Sequence, residues 1–170
     1  MEGISYRLPV SREMIALAMR DESMDVVYFI DLFSGGVLSL RRPAEWDWEG
    51  IAEGFDHSVA CGFRRTPERF LGVEQLTARR KKAVIEKFAA SVADDALRRL
   101  VLHAAEEQAP FAGVAQALGD CPAELCAWRT HLEGATVEAV AEFLEEYGIS
   151  DEPAPSHECR AAQDAPLFVN

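Results

Sequence analysis

The chain has 170 residues, 49% of them apolar, and its 29 Asp and Glu residues outnumber its 17 Lys and Arg residues, giving a formal net charge of −12. This length fits one domain with one hydrophobic core. The negative charge repels nucleic acid and anionic membranes at long range, so the favoured partner is another protein with a basic surface. No run of about 18 apolar residues occurs, so no membrane span is expected.

The N-terminus and the cysteines bear on the compartment. Residues 1–13, MEGISYRLPVSRE, lack the basic region and the apolar region of a signal peptide. The four cysteines, Cys61, Cys121, Cys126 and Cys159, are irregularly spaced, which favours free thiols in a reducing compartment. Together these features predict a cytoplasmic location.

The first elements are a helix and a hairpin. Ser11 can cap a short helix over about 12–20, with Met14, Leu17 and Ala18 on one apolar face. Two runs rich in β-branched and aromatic residues, 26–33 and 37–40, then flank a Ser-Gly-Gly turn. Glycine tolerates the positive φ of tight turns, so this pattern predicts a β-hairpin.

Residues 41–67 are irregular and predict a long connection that carries Trp46, Trp48 and Phe55. The run that follows, residues 69–73, predicts a third strand. An isolated hairpin is only marginally stable, so a third strand or a covering helix is physically required.

The remaining chain predicts helices. Thr77 and Asp94 are suited to cap two of them, and Pro110 and Pro122 to begin two more. In the last stretch, apolar steps of three and four run through Gly134, which predicts one long helix at a cost of ~1 kcal/mol for the glycine. Two helices that break at Gly134 are the alternative. The apolar positions of the four stretches are Val84, Ile85, Phe88, Val92, Leu97, Leu100, Val101, Ala104, Phe111, Val114, Leu118, Leu125, Trp128, Leu132, Ala135, Ala139 and Phe143.

These elements predict an α+β fold in which a short N-terminal helix and a small antiparallel sheet, the hairpin plus a third strand, pack against a C-terminal bundle of about four helices. One domain is expected over residues 1–149, ending at a glycine cap, Gly148, followed by Ile149. Residues 150–170 are rich in proline and alanine and predict a flexible tail, although residues 167–169 are apolar.

No catalytic, cofactor-binding or metal-binding residue is predicted. Steps of five residues would turn Cys121, Cys126 and His131 to different sides of a helix, and they lack the close ligand pairs that zinc requires. His57 and Cys61 lie near each other in the irregular segment, but a nucleophile and its base must converge in space, and adjacency in a loop does not provide this.

Two candidate binding sites remain. Arg79, Arg80, Lys81 and Lys82 form the densest basic run and are candidates for binding an anion or RNA, although cations are disfavoured near a helix N-terminus. A solvated face paired with nearby acids is the alternative. Exposed aromatic residues often anchor interfaces, and the candidate partner contacts are Trp46, Trp48, Phe55 and Phe111.

Short motifs in a fixed order resemble a bacterial family known as uncharacterised protein family 0158. They are Leu-Pro-Val-Ser at residues 8–11, a Y-[FYL]-x-D-x-x-[TS]-G-x-V hairpin at 28–37, an R-[YF]-[IL]-x-[IL] strand at 69–73, Phe88, Leu-Arg-Arg-Leu at 97–100, Trp128, and Phe-Leu-Glu-Glu-Tyr-Gly-Ile at 143–149. The resemblance spans about residues 8–149 and implies no activity, because the family has none assigned. Relatives place an aromatic residue between basic residues near position 111, and this chain keeps only Phe111. If that region binds an anion in relatives, the difference implies that this chain has lost it.

These observations predict a non-enzymatic, cytoplasmic protein-interaction module, with an acidic neutraliser or regulator of a basic partner as its sharper form. One alternative is a regulator that contacts RNA or a nucleotide through residues 79–82. The other is an enzyme whose site is assembled from distant residues.

Overall fold

A computed structural model describes residues 6–41, 62–63 and 65–151 of the chain. Within them, five α-helices accompany a three-stranded antiparallel sheet, which confirms the predicted α+β fold. No helix among the described residues is long and apolar enough to cross a membrane. The predicted contacts Trp46, Trp48 and Phe55 lie outside the described residues, as do His57, Cys61 and nearly all of the predicted tail.

The N-terminal part forms a short strand, β1 (Tyr6–Leu8), and a helix, α1 (Arg12–Arg20). Ser11 caps α1 as predicted, its Oγ accepting the amide N–H of Met14 at 3.3 Å. The predicted apolar face was only partly correct. Ala18 is buried, but Met14 and Leu17 are 42% and 49% exposed. Apolar residues run almost all around this helix, so their spacing does not determine which side packs inward.

The sheet consists of β2 (Val26–Asp31), β3 (Val37–Arg41) and β4 (Phe70–Val73), in the order β3-β2-β4. Both pairings are antiparallel, so the hairpin and the third strand form where they were predicted. Gly35 takes the positive φ of the turn, 75°, and a Cβ there would lie 3.1 Å from the Pro9 backbone. Glycine therefore permits both the turn and its close approach to the start of α1.

Four helices follow as predicted: α2 (Ala78–Ala89), α3 (Asp95–Ala104), α4 (Pro110–Ala117) and α5 (Pro122–Glu146). Thr77 Oγ1 accepts the Arg80 amide N–H, and Asp94 Oδ1 accepts two amide N–H groups at the start of α3. α5 is continuous through Gly134, so the one-helix interpretation is correct.

The core lies where the helices meet the inner face of the sheet. Trp128 of α5 is almost fully buried and packs against the rings of Phe88 and Phe111. On α3 the predicted apolar face holds Val101 and Ala104 inside, whereas Leu100 is 54% exposed. Adjacent apolar residues on a short helix cannot all point inward at about 100° per residue.

A second, two-stranded sheet was not predicted. Gly148, with φ 63°, ends α5 as expected, and β5 (Ile149–Asp151) then pairs in parallel with β1. Residues 6 and 149 face each other across this pairing, so both ends of the described chain meet beside α5. The predicted tail therefore begins with two residues that belong to a strand.

Candidate functional site

The outer surface of α5 carries a concentrated negative charge near its C-terminal end. Its exposed carboxylates, hereafter the acidic face, are Glu138, Glu142, Glu145 and Glu146. At about 100° per residue these four side chains fall within about 100° of arc on one side of the helix. Residues 130–151 contain no Lys or Arg, so α5 provides no neighbouring cation of its own there.

The packing of α5 determines which side faces solvent. Ala139, Val140 and Phe143 are buried against the rest of the protein, so the glutamates between them must point outward. The outer side also carries Val137, which is 62% exposed. Val137 is turned about 100° from Glu138 towards the groove with α1, so it borders the acidic face and does not lie within it.

The charges of the acidic face are only slightly compensated. Arg80 of α2 donates a hydrogen bond to Glu142, and the other three carboxylates have no ion pair with any described residue. The last turn of α5 contains no basic residue. The negative end of the helix dipole disfavours Glu145 and Glu146 in that turn, so the placement of these two carboxylates does not stabilise the helix.

The basic run 79–82 is divided among different partners. Arg80 bonds to Glu142, Lys82 bonds to Glu106, and Lys81 is only 8% exposed. Among the described residues Arg79 alone of the four has no ion pair. Successive residues of a helix point in different directions, so the run does not form one free patch. Binding of an anion or RNA at this run remains a prediction.

Lys81 belongs instead to a buried charge cluster at the start of α4. The carboxylate of Glu22 accepts the amide N–H groups of Phe111 and Ala112, each at 3.0 Å. Lys81 Nζ lies 3.5 Å from the same carboxylate and 5.6 Å from the centroid of the Phe111 ring. Ala109, which precedes α4, has no side-chain oxygen to cap it, so Glu22 caps this helix from 89 residues earlier in the chain.

A second paired carboxylate lies at the end of the hairpin. Asp31 is held by two hydrogen bonds from Arg69, both 2.6 Å, and also accepts from the Phe33 amide and the Ser34 hydroxyl. The hydrogen bond from Arg69, with those from Phe33 and Ser34, outweighs burial and lowers the pKa of Asp31 to about 2. This pair fastens β2 to β4 and explains why an aspartate ends the strand.

Phe111 and His131 both serve the packing of the helices. Phe111 was a candidate partner contact, but it is 5% exposed and packs on Trp128, so it cannot meet a partner while the fold is intact. His131 donates its Nε2–H to the Val84 carbonyl at 3.0 Å and contributes to helix packing. Within the described ranges, no group of three or more His, Cys, Asp and Glu side chains is arranged to hold a metal ion.

Two grooves border α5. The first, of 330 Å³, lies between α1 and α5, is lined by Ala16, Val137 and Val140, and has Arg12, Arg20 and Glu133 at its rim. The second, of 340 Å³, lies where the start of α2 meets the end of α5. It is hereafter called the end pocket. Neither groove was predicted from the sequence. The sequence feature that could have indicated the end pocket is the excess of glutamate over Lys and Arg in the last two turns of α5.

The chain matches no protein-family model, no curated protein and no solved structure. The resemblance to the uncharacterised bacterial family therefore remains a prediction, and the candidate site depends on the geometry described above.

Proposed function

We propose that this protein is a non-enzymatic interaction module of the bacterial cytoplasm that binds a partner protein with a basic surface. The observation that carries the proposal is the acidic face, where four exposed carboxylates share one ion pair among the described residues, Arg80 with Glu142. Complementary charge on a partner accelerates association and selects the correct surface. The sharper form is a regulator that masks the basic surface of its partner.

Three properties of α5 support this role. The acidic face belongs to the longest of the described helices, which Trp128 anchors in the core. Its carboxylates therefore project from a rigid element. Exposed Val137 provides apolar area beside the charges. Glu145 and Glu146 lie in the last turn, where the helix dipole opposes them, so a stabilising role within the helix does not account for these two.

The experiment is affinity capture of the tagged protein from its native cells at low and at moderate salt, followed by mass spectrometry. Three forms are compared: wild type, the double variant Glu138→Gln/Glu145→Gln, and a control, Glu86→Gln/Asp120→Asn, which removes two exposed carboxylates from other elements. The proposal requires a stoichiometric basic partner that both salt and the face variant weaken and that the control retains.

Two results would contradict the proposal. Equal retention of the partner by wild type and the face variant would remove the acidic face from the interface. Equal loss in the face variant and the control would mean that only the net charge of the protein matters.

A further inference from the structure

The end pocket adjoins the acidic face at the C-terminal end of α5 and shares Glu142 and Glu146 with it. It is lined by residues of α1, α2, the segment before α2 and the end of α5, and includes Glu74, Arg80, Glu142, Phe143, Glu146 and Tyr147. Carboxylates and aromatic rings thus border a concavity of 340 Å³. A concavity of this size and composition suits the end of a long side chain better than it suits a flat protein surface.

We propose that the end pocket receives the guanidinium of an arginine side chain from the basic partner. This inference rests on the proposed function only in that the partner supplies the arginine. The pocket holds three carboxylates, Glu74, Glu142 and Glu146, against one cation, Arg80. Glu74 and Glu146 have no ion pair with any described residue, so they remain available to a guanidinium.

The end of α5 adds to the attraction. A helix C-terminus carries a partial negative charge on its last carbonyl groups, and cations are stabilised beside it. The last turn of α5 has no basic residue to satisfy this preference. The N-terminus of α2, which carries a partial positive charge, also lines the pocket. Thr77 Oγ1 accepts one of its amide N–H groups, that of Arg80. The positive end of the α2 dipole offsets the negative end of the α5 dipole here, so the three carboxylates of the pocket, set against Arg80, provide the net attraction for a cation.

The aromatic wall provides the second recognition element. The rings of Phe143 and Tyr147 lie 4.9 Å apart between centroids at an interplanar angle of 49°, and Tyr147 is 42% exposed. A planar guanidinium stacks on an aromatic face and donates several hydrogen bonds in a fixed geometry, which an ammonium does not. The combination of the exposed Tyr147 ring with the carboxylates therefore selects arginine over lysine.

Arg80 acts as an intramolecular competitor for this site. Its guanidinium hydrogen bonds to Glu142 at the pocket wall, and both side chains remain about half exposed. A surface ion pair of this kind exchanges readily with other ions. Removal of Arg80 should therefore strengthen binding of an arginine probe, an outcome that a purely structural role of the pocket residues would not produce.

The test is a titration of the full chain with N-acetyl-arginine methylamide, followed by ¹H–¹⁵N NMR, with N-acetyl-lysine methylamide as the second probe. The arginine probe is expected to shift the amides of Thr77, Glu146 and Tyr147 saturably and to bind more tightly than the lysine probe. Glu74→Gln/Glu146→Gln should weaken binding about tenfold, and Tyr147→Leu about threefold. The matched control, Glu138→Gln/Glu145→Gln, should change binding less than about twofold.

Arg80→Ala should increase the affinity for the arginine probe. The inference is overturned if no saturable shift occurs at the end pocket, if the control weakens binding as much as the pocket variant, or if Arg80→Ala weakens it. These outcomes are separable from a failure of the proposed function. If the face variant weakens partner capture but the arginine probe does not bind, only the pocket inference is rejected. If the arginine probe binds but the face variant captures the partner as well as wild type does, only the proposed interface is rejected.

Discussion

Carboxylates serve opposite purposes in two regions of this molecule. At the hairpin, Asp31 is almost buried and its carboxylate accepts four hydrogen bonds, two of them from Arg69. On the acidic face, four glutamates are exposed and only Glu142 is paired with another residue that the structure describes. Buried and paired carboxylates hold elements together, whereas exposed and unpaired ones remain available for a partner. Mutations should therefore separate the two classes by their effect on folding stability.

The largest effect is expected from Asp31→Ala, which removes the shared acceptor of Arg69, Phe33 and Ser34. The free energy of unfolding should fall by about 3 kcal/mol, because a buried hydrogen-bonding network loses its centre. Chemical denaturation monitored by circular dichroism provides the measurement. Asp25→Ala, at an exposed aspartate just before β2, is the control and should stay within about 0.5 kcal/mol of wild type. Similar losses in both variants would contradict the distinction.

Glu22→Ala should lower the free energy of unfolding by about 2 kcal/mol, since α4 loses its cap and Lys81 loses its buried partner. Lys81→Met should cost less, because Glu22 would still accept the Phe111 and Ala112 amides. Denaturation of both variants and their double mutant measures the coupling between the two side chains. Exactly additive effects would not fit a shared cluster, and Glu86→Ala is the exposed control.

The stability contributed by Asp31 should depend on acid pH. Its pKa is about 2 in the folded protein against 3.8 for an unperturbed aspartate, so the contribution is complete above about pH 4 and is lost as the pH falls towards 2. This loss should amount to about 2 kcal/mol. Denaturation of wild type and Asp31→Asn at several pH values tests it. The difference between them should shrink on acidification, and a constant difference would contradict the assignment.

Gly134→Ala should stabilise the protein by up to about 1 kcal/mol. Gly134 lies within α5, and a Cβ at this position meets no heavy atom within 4 Å. Thermal denaturation should show a higher midpoint. Gly35→Ala is a control with the opposite sign, since that glycine has positive φ and touches Pro9. Destabilisation by Gly134→Ala would indicate contacts on the outer side of α5.

The smallest effect is expected from Glu145→Lys, which places a cation near the C-terminus of α5. It should raise the free energy of unfolding by about 0.5 kcal/mol, because it relieves repulsion from the helix dipole and from neighbouring glutamates. Glu13→Lys, in the first turn of α1, should lower it by a similar amount. Denaturation at low salt resolves the two signs. Destabilisation by Glu145→Lys would assign that glutamate a structural role.

Local signals predicted most of the elements. Ser11, Thr77 and Asp94 each cap the helix expected of them, because a capping side chain reaches amides only two or three residues away. The hairpin around Gly35 and the length of α5 through Gly134 follow from similarly short-range patterns. Apolar spacing was less reliable on α1 and α3, where Met14, Leu17 and Leu100 are exposed, because neighbouring apolar residues allow more than one inward face.

The features that organise the candidate site involve residues far apart in the sequence. Glu22 caps α4 across 89 positions, Arg69 reaches Asp31 across 38, and the end pocket joins residues 74–80 to 139–147. Periodicity and capping rules describe contacts between residues a few positions apart, so they contain no information about these long-range contacts. The basic run shows the same limit, since the tertiary fold directed Arg80, Lys81 and Lys82 to three different carboxylates.

The sequence by itself determined the acidity of the protein, the fold class and the bounds of most helices and strands, because composition and short-range hydrogen bonding decide these. The tertiary structure alone decided which charges are paired inside and which remain exposed on α5. Pairing of charges depends on distances between elements that are remote in the chain, and only their packing around Trp128 and the sheet establishes those distances.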